Sequence, residues 1–336
     1  MEVVRLKNKL GTRQLPTAEL LLDGTVARLA SAPGRGVASI APMLTVTRLH
    51  NSLMAAGVMR RLLNVAKDYA GRRRAFGRPI LDHALHAQTL ARMEVETRAA
   101  TLLVLEAARH LGTLDAAAAA SDSSQVVNEA ERQKADLLLR ILTPLAKLYT
   151  AKQSIACASE CLESLGGQGY IEDTGYPGYL RDAQVLSIWE GTTNVLSLDV
   201  IRAMTKTRGK AVETFFAEAE AKISRGAEVV EALAPSAEAL RKAAGGAAQF
   251  LVENQNDSST LQAAARDLSY SMARIYMGAL LVEFAAETGE DVDAEIARRW
   301  CANHRLSSVG EAARGKAYGV DNLIRDRNIV MDGLGG

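Results

Sequence analysis

Hydrophobic residues recur with the period of an α-helix along most of this chain. From about Pro42 to about Gly71 they form one broad stripe, at Leu44, Val46, Leu49, Leu53, Val58, Leu62, Leu63, Val65 and Ala66. Aromatic residues make up only 4% of the 336 residues, and alanine and leucine are abundant. This composition favours closely packed helices over sheets. The sequence therefore predicts a mainly α fold.

Four long helices are expected over residues 41–205, and helices of this kind joined by loops can form a four-helix bundle. Their predicted spans are about Pro42 to Gly71, Leu81 to His110, Val127 to Leu165, and Thr193 to Met204. Proline is favoured in a first helical turn, as predicted for Pro42, whereas Pro144 should kink the third helix. The segment Leu114 to Gln125 is expected to be a low-complexity link.

The chain remains helical in pattern from about residue 208 to its end. The predicted helices there are Ala211 to Leu233, Ala237 to Glu253, Thr260 to Glu287, Val292 to Ala302, and Ser307 to Tyr318. We therefore predict a third region, residues 206–336, and call it the C-terminal extension.

Residues 1–40 differ from the rest. Short runs at Glu2–Leu6, Ala18–Leu22 and Ala27–Leu29 are broken by glycine and proline, as in strands joined by turns. Two or three strands are marginal on their own in water. We interpret residues 1–40 as the remnant of a β-domain.

Charge and targeting signals exclude several classes of protein. The formal net charge is +1, which gives no reason to expect nucleic acid or a membrane surface as a partner. No apolar run reaches 18 residues, and the N-terminus lacks the apolar segment of a signal peptide. We expect an intracellular protein, cytoplasmic or mitochondrial, that is not secreted.

No metal site is expected. Cys157, Cys161 and Cys301 lack C-x-x-C spacing, so they are interpreted as buried packing residues. His83 and His86 are one helical turn apart and could share a metal. The only nearby carboxylate is Asp82, which is better placed to cap a helix, and an ordinary histidine pair is the preferred interpretation.

Glu190 is the strongest candidate for a catalytic residue. It lies in the segment Ser187-Ile188-Trp189-Glu190-Gly191-Thr192-Thr193-Asn194, just ahead of a predicted helix. Apolar neighbours remove water from a carboxylate and raise its pKa toward neutrality. That environment is typical of a general base.

Two further clusters have simpler explanations when each is taken alone. Arginines and an aromatic residue stand together in Gly71–Ile80, where guanidinium groups could bind phosphate or complement a helix dipole. Gly166-Gly167-x-Gly169 could bind a ligand or cap a helix. In combination with Glu190, both clusters favour a ligand site.

Together these segments resemble the acyl-CoA dehydrogenase family. The resemblance rests on three motifs and covers roughly residues 1–205: R-x-x-F-G-x-P-I at Arg73–Ile80, G-G-x-G-Y at Gly166–Tyr170, and R-D-A with I-W-E-G-T-x-N at Arg181–Asn194. It implies the long four-helix bundle of that family's C-terminal domain. It also implies an FAD-dependent oxidoreductase that acts on an acyl-CoA thioester.

The resemblance assigns a role to each site residue. Glu190 matches the base that removes the α-proton while the β-hydrogen leaves as hydride to flavin N5, and Gly191 would lie against the thioester. The remaining matches concern FAD: Arg73 and Phe76 at its pyrophosphate and adenine side, the pair Gly166 and Gly167 beside them, and Thr192 and Asn194 at its adenosine end. Because the family commonly shares FAD across a subunit interface, a homodimer or homotetramer is implied.

The sequence departs from the family pattern at several points. Ala75 and Ala84 stand where polar residues are frequent, and Glu163 stands where a glutamine usually precedes the glycine pair. A carboxylate near a pyrophosphate is unfavourable unless it is paired. Family members also begin with a helical domain and the first half of a β-domain, whose strands grip the isoalloxazine ring, and this sequence contains neither.

The extension and three short segments resemble the AidB-like, alkylation-response branch. These segments are Arg48-Leu49-His50-Asn51, Ser187-Ile188-Trp189-Glu190-Gly191 and Leu198-Asp199-Val200. In that branch the extra helices are associated with DNA binding. Residues 201–336, however, carry 17 basic and 19 acidic residues, a net charge of −2, which makes a poor surface for phosphates. The alternative hypothesis is a non-catalytic helical interaction protein or a DNA-associated protein.

Overall fold

The computed structural model describes residues 1–119, 128–303, 306–314 and 317–331. Within them, eleven α-helices account for most of the chain and the four strands are short. The predicted mainly α fold is confirmed.

Among the described residues up to 206 there are four strands and five α-helices. In chain order they are β1 Glu2–Leu6, β2 Ala18–Leu21, α1 Gly36–Arg72, β3 Arg74–Ala75, β4 Arg78–Pro79, α2 Ala84–Ala119, α3 Glu129–Ser164, α4 Tyr176–Leu186 and α5 Thr193–Lys206. The extension contains α6 Lys210–Val229, α7 Ala234–Glu253, α8 Ser258–Thr288, α9 Asp291–Asn303, α10 Ser308–Arg314 and α11 Val320–Met331.

Two helices, α1 and α2, extend at one end well beyond their predicted spans. α1 begins at Gly36, so Pro42 lies inside it. Because proline has no backbone N–H, the Ala38 carbonyl lacks its helical hydrogen-bond partner. Ala38 is exposed, so water can bond this carbonyl instead. α2 continues through Gly112 to Ala119, because the alanines that follow offset the cost of one glycine, about 1 kcal/mol. The remainder of the predicted link, residues 120–127, lies outside the described residues.

Other predictions of secondary structure were wrong in detail. The run Ala27–Leu29 forms no strand, and Leu29 is exposed. α6 ends at Val229, because Val230 is extended and residues 231–233 form a short 3-10 turn. α10 ends at Arg314 rather than Tyr318. Neither α4 nor α11 was predicted.

The N-terminal strands form an antiparallel hairpin, and the segment that connects them packs on α4. In the hairpin, Arg5 donates two hydrogen bonds of 2.9 Å to Glu19. At Gly11, an added Cβ would lie 2.5 Å from the carbonyl carbon of Arg181, and the amide of Thr12 donates to Asp182 Oδ1. The R-D pair of the family motif, Arg181 and Asp182, therefore has a structural role. The Arg181 backbone contacts Gly11 and the Asp182 carboxylate bonds Thr12, so together they hold the N-terminal segment.

The chain divides into two compact units, residues 1–91 with 150–190, and residues 92–149 with 191–336. In the first unit, Ala55, Ala151 and Leu186 form part of the core. Cys157 and Cys161 are buried there, and the Cys161 Sγ lies 3.1 Å from the carbonyl oxygen of a leucine in α1. Burial raises the pKa of Cys161 to about 11. The prediction that these cysteines are packing residues is confirmed.

Helix α8 organises the core of the second unit. It packs against α5, α6, α7, α9 and α10. Phe215 stacks on Tyr276 with ring centroids 5.0 Å apart, and the fully buried Trp300 donates a hydrogen bond to the Arg274 carbonyl. At Gly278, an added Cβ would lie 2.5 Å from a methyl carbon of Leu240, so α7 and α8 approach closely. The extension thus shares one core with α5.

No helix in the described part of the chain is long and apolar enough to cross a membrane.

Candidate active site

Glu190 occupies a strained turn between α4 and α5. Its φ is +59°, in the left-handed region that costs a residue with a side chain about 1–2 kcal/mol. Gly191 follows with a φ of +105°, a conformation that glycine adopts without a steric penalty. Strain of this kind persists only where the surrounding structure holds it, and it is found preferentially at functional sites.

Helix α1 supplies the contacts that hold Glu190. Thr47 Oγ1 donates a 2.7 Å hydrogen bond to Glu190 Oε2, and Arg48 Nε donates a 3.1 Å hydrogen bond to the Glu190 backbone carbonyl. No described residue bonds the second carboxylate oxygen, Oε1. One oxygen is therefore oriented by the protein while the other is available for proton transfer.

The apolar neighbours do not enclose Glu190 as the sequence argument assumed. Ile188 is 62% exposed and Trp189 is 37% exposed, while Glu190 itself is half-buried. The chain leaves α4 at Leu186, and the two apolar side chains lie on the outside of the turn. Hydrogen bonds from α1, rather than packing by these neighbours, define the position of the carboxylate.

In the second unit, a buried lysine holds Gly191. Lys147 is fully buried on α3, and its Nζ donates a 2.6 Å hydrogen bond to the Gly191 carbonyl. Neither Lys147 nor Thr47 was proposed as a site residue from the sequence. A lysine within an apolar helical run is a signal for a buried polar contact, but no local signal distinguishes Thr47 from other helical threonines.

A cleft of about 680 Å³ in the first unit brings together four of the predicted cofactor residues, Arg73, Phe76, Gly166 and Gly167. We call it the Arg73 cleft. The other residues that line it are Tyr69, Ile80, His83, Leu85, His86, Thr89, Glu160, Glu163, Ser164, Leu165 and Gln168. The motifs at residues 73–80 and 166–170 therefore meet in one place.

The Arg73 cleft offers groups that fit a phosphate and an aromatic base. Phe76 is 94% exposed, at a φ of +50° in the turn between β3 and β4. The Arg73 guanidinium pairs with no described residue. A Cβ added at Gly166 or Gly167 would meet no atom within 4 Å. A cation, an exposed ring and open glycines suit a phosphate beside an aromatic base.

Two carboxylates oppose that fit. Glu160 and Glu163 both line the Arg73 cleft, and neither pairs with a residue in the described ranges. Each lowers the affinity of the cleft for phosphate. His86 also lines it, and its buried Nε2 has no hydrogen-bond partner, so this atom could serve a ligand.

The third glycine of the motif has a different role. Gly169 is buried, and an added Cβ would lie 2.0 Å from the Leu162 carbonyl oxygen. This contact closes the turn after α3, where Gly166 has a φ of +60°. The glycine cluster thus combines a structural residue, Gly169, with two that are open toward the cleft.

Thr192 and Asn194, the predicted adenosine-binding pair, belong to the second unit. Thr192 stands at the N-cap of α5. Asn194 lies in the first turn of that helix, and its Oδ1 accepts a 3.3 Å hydrogen bond from Arg266 Nη1.

His83 of the histidine pair is engaged by groups of the β3–β4 turn. His83 Nε2 lies 3.1 Å from the Ala75 carbonyl oxygen, and Arg78 Nε donates to His83 Nδ1. Across the ranges that the structure covers, no group of three or more histidine, cysteine, aspartate or glutamate side chains could hold a metal ion.

Comparison with known proteins identifies the family. A family model described as the acyl-CoA dehydrogenase C-terminal domain matches residues 34–205, about half of the chain. The chain belongs to the acyl-CoA dehydrogenase family. A second model, described as acyl-CoA dehydrogenase 11 C-terminal domain-like, matches residues 210–331. The predicted long four-helix bundle of this family's C-terminal domain is confirmed.

This acyl-CoA dehydrogenase family member has relatives that match it to different extents. It is 42% identical to acyl-CoA dehydrogenase family member 11 of Caenorhabditis elegans over 340 residues, which cover 99% of this chain and 52% of that protein. The crystal structure of C. elegans ACDH-11 in complex with C11-CoA superposes on the whole chain with a TM-score of 0.89 and 41% identity, and the match covers 55% of that structure's chain. The chain thus spans about half the length of this relative.

The putative acyl-CoA dehydrogenase AidB of Escherichia coli is 33% identical over 205 residues, which cover 61% of this chain and 35% of AidB. Assignment to the AidB-like branch stays a prediction, and so does the division of the chain at residues 40 and 205.

Proposed function

We propose that this chain is part of an FAD-dependent acyl-CoA dehydrogenase-like oxidoreductase that catalyses α,β-dehydrogenation of an acyl-CoA thioester. The observation that carries the proposal is the hydrogen bond from Thr47 to Glu190 at a strained turn. A carboxylate that is oriented through one oxygen and free at the other suits a general base. The bound C11-CoA in the C. elegans relative supports an acyl-CoA as the substrate class.

In this proposal each residue of the turn has a separate task. Glu190 removes the α-proton through Oε1 while Thr47 holds Oε2. The backbone amide of Glu190 polarises the thioester carbonyl, and Gly191 leaves room for the thioester because it has no side chain. FAD, when bound, supplies the acceptor for the β-hydride.

The cofactor residues remain those that the resemblance implies. Arg73 and Phe76 would hold the pyrophosphate and adenine side of FAD, with Gly166 and Gly167 beside them. Thr192 and Asn194 would hold the adenosine end. Sharing of FAD between subunits would require a homodimer or homotetramer, which light scattering after gel filtration would measure.

The test of the base is exchange of the substrate α-proton, which needs no hydride acceptor. The purified chain is incubated with an acyl-CoA in D2O, and loss of the α-proton signal is followed by NMR, with visible absorbance reporting any bound flavin. We expect Glu190→Gln to slow exchange by at least about 100-fold, the lower range for general base catalysis. Glu172→Gln is the control, because Glu172 pairs with Arg181 on the surface. Exchange that is unaffected by Glu190→Gln would overturn the assignment.

The second candidate is a non-catalytic helical interaction or DNA-associated protein of the AidB type. This candidate rests on the resemblance of the extension to the AidB-like branch, while the net charge of −2 on residues 201–336 opposes DNA binding.

A further inference from the structure

A second cavity, in the second unit, is built jointly by α5 and α8. Its volume is about 400 Å³, and its lining residues are Asn194, Ser197 and Leu198 on α5, and Gln262, Ala263, Ala265 and Arg266 on α8. We call it the Asn194 cavity. α5 lies in the region matched by the general family model, whereas α8 lies in the region matched by the acyl-CoA dehydrogenase 11 model. The extension therefore forms one wall of a cavity that contains a predicted cofactor residue.

Arg266 is the charged side chain of the Asn194 cavity. Its Nη1 donates to Asn194 Oδ1, and its Cζ lies 5.9 Å from the centre of the Tyr270 ring. The described residues that line the cavity include no carboxylate. A guanidinium has five N–H donors in a planar fork, which matches the geometry of phosphate oxygens. Asn194 and the Tyr270 hydroxyl engage part of the fork, and its remaining N–H groups are the donors for an anionic ligand.

The hydrogen bond from Arg266 also orients the Asn194 amide. Because Oδ1 accepts from the arginine, the Nδ2 group is the part of Asn194 that can donate to a ligand. Ala263 and Ala265 are small residues of the cavity wall. An anion-binding fork and an oriented amide donor thus stand side by side in one cavity.

We infer that Arg266, in addition to the residues already proposed for FAD, donates to a phosphate of an adenosine diphosphate moiety whose adenosine is held at Asn194. This inference rests on the proposed function, because the resemblance assigns Asn194 to the adenosine end of FAD. FAD and coenzyme A both contain adenosine diphosphate, so the chemistry is shared by cofactor and substrate. The extension would then supply a ligand contact from outside the four-helix bundle domain.

The test uses the full chain and ADP as the probe, with binding measured by isothermal titration calorimetry. We expect Arg266→Gln to weaken ADP binding by at least about 10-fold, and Arg266→Lys to weaken it less because the charge remains without the fork. Arg298→Gln is the matched control, since Arg298 is an exposed arginine of the extension paired with Glu295. Ala263→Leu is a second variant, which should reduce binding by filling the cavity without changing its charge.

Separate titrations with FAD and with coenzyme A identify the source of the moiety. Weakening of FAD binding alone would support the cofactor, and weakening of coenzyme A binding alone would support the substrate. If the unaltered chain binds these ligands and neither Arg266→Gln nor Ala263→Leu changes the affinity, the inference is overturned while the proposed function stands. If the unaltered chain binds neither FAD nor coenzyme A, both are overturned.

Discussion

Glu190 illustrates how the candidate site is determined at the scale of single residues. Its backbone adopts a conformation that a side chain makes costly, and its carboxylate accepts a hydrogen bond from Thr47, 143 positions earlier in the chain. The segment around Glu190 identified the residue as a candidate base from the sequence. The reason first given, burial by Ile188 and Trp189, does not describe the structure, because both side chains are exposed.

Thr47 should be a positioning residue for proton transfer. We expect Thr47→Val to slow α-proton exchange by about 10-fold or more, because a hydrogen bond to a charged group contributes about 1.5–3 kcal/mol, and 1.36 kcal/mol corresponds to a factor of ten in rate. The same NMR exchange experiment measures it. Thr47→Ser should restore exchange by returning the hydroxyl.

Thr45→Val is the control for this prediction. Thr45 lies on the same helix, and its side-chain hydroxyl forms no hydrogen bond with a described residue. A Thr47→Val chain that exchanges at the rate of the unaltered protein would show that Glu190 does not depend on this hydroxyl.

At the scale of elements, a buried charge cluster joins α2, α6 and α8 within the second unit. Glu106 on α2 is 7% exposed and accepts hydrogen bonds from Arg109 and from the hydroxyl of Tyr276. Lys222 on α6 lies 3.2 Å from Glu106 and 2.8 Å from Glu283 of α8. Removing one member of such a cluster leaves the others buried without compensation. The cluster therefore couples the bundle helix α2 to the extension.

The cluster should make stability depend on pH. Burial by itself raises the pKa of Glu106, but hydrogen bonds from His110 and Arg109 and the charge of Lys222 outweigh it and hold that pKa well below the usual glutamate value. A lowered pKa in the folded state contributes stability that is complete above the unfolded-state pKa, near 4.5, and is lost as the pH falls below it. We expect Glu106→Gln to lower the free energy of unfolding at pH 7 by about 3 kcal/mol. Below pH 5, the free energy of unfolding of this variant should fall less steeply with decreasing pH than that of the unaltered chain.

Urea unfolding followed by circular dichroism at a series of pH values measures both effects. Glu129→Gln is the control, because Glu129 pairs with Arg132 on the surface and its removal should leave the stability unchanged. Equal slopes below pH 5 for the unaltered chain and Glu106→Gln would contradict the prediction.

At the scale of the whole molecule, the distribution of charge bears on the choice between enzyme and DNA-associated protein. The chain has a net charge of +1 over 336 residues, and residues 201–336 have a net charge of −2. Several basic residues of the extension are also engaged, since Lys222 and Arg225 bond Glu283 and Arg241 bonds Glu220. These residues are poorly suited to neutralise a row of phosphates.

We therefore predict that the chain binds duplex DNA more weakly than about 10⁻⁴ M at 150 mM salt, the weak limit of ordinary non-specific binding. Fluorescence anisotropy with a labelled duplex, repeated between 50 and 200 mM salt, measures both the affinity and its salt dependence. A steep dependence that corresponds to six or more released counterions would instead favour the AidB-type alternative.

Much of the helical architecture was predictable because hydrophobic period is a local property of the sequence. α5 was expected over Thr193 to Met204 and spans Thr193–Lys206. The C-terminal end of α3 was expected at Leu165 and lies at Ser164. α4 was missed because its eleven residues contain two glycine or proline positions and were interpreted only as a motif. α2 passes Gly112 because a single glycine does not stop a helix that is otherwise favourable.

By itself, the sequence determined the helical class and the family motifs, and it pointed to Glu190 as a candidate base, because period and residue type are read along the chain. Only the tertiary structure decided what holds Glu190, which glycine of the motif is structural, and that Arg266 of the extension bonds Asn194. These are contacts between residues distant in sequence or steric limits set by a neighbouring backbone. Such contacts depend on how the helices pack, and no local pattern encodes them.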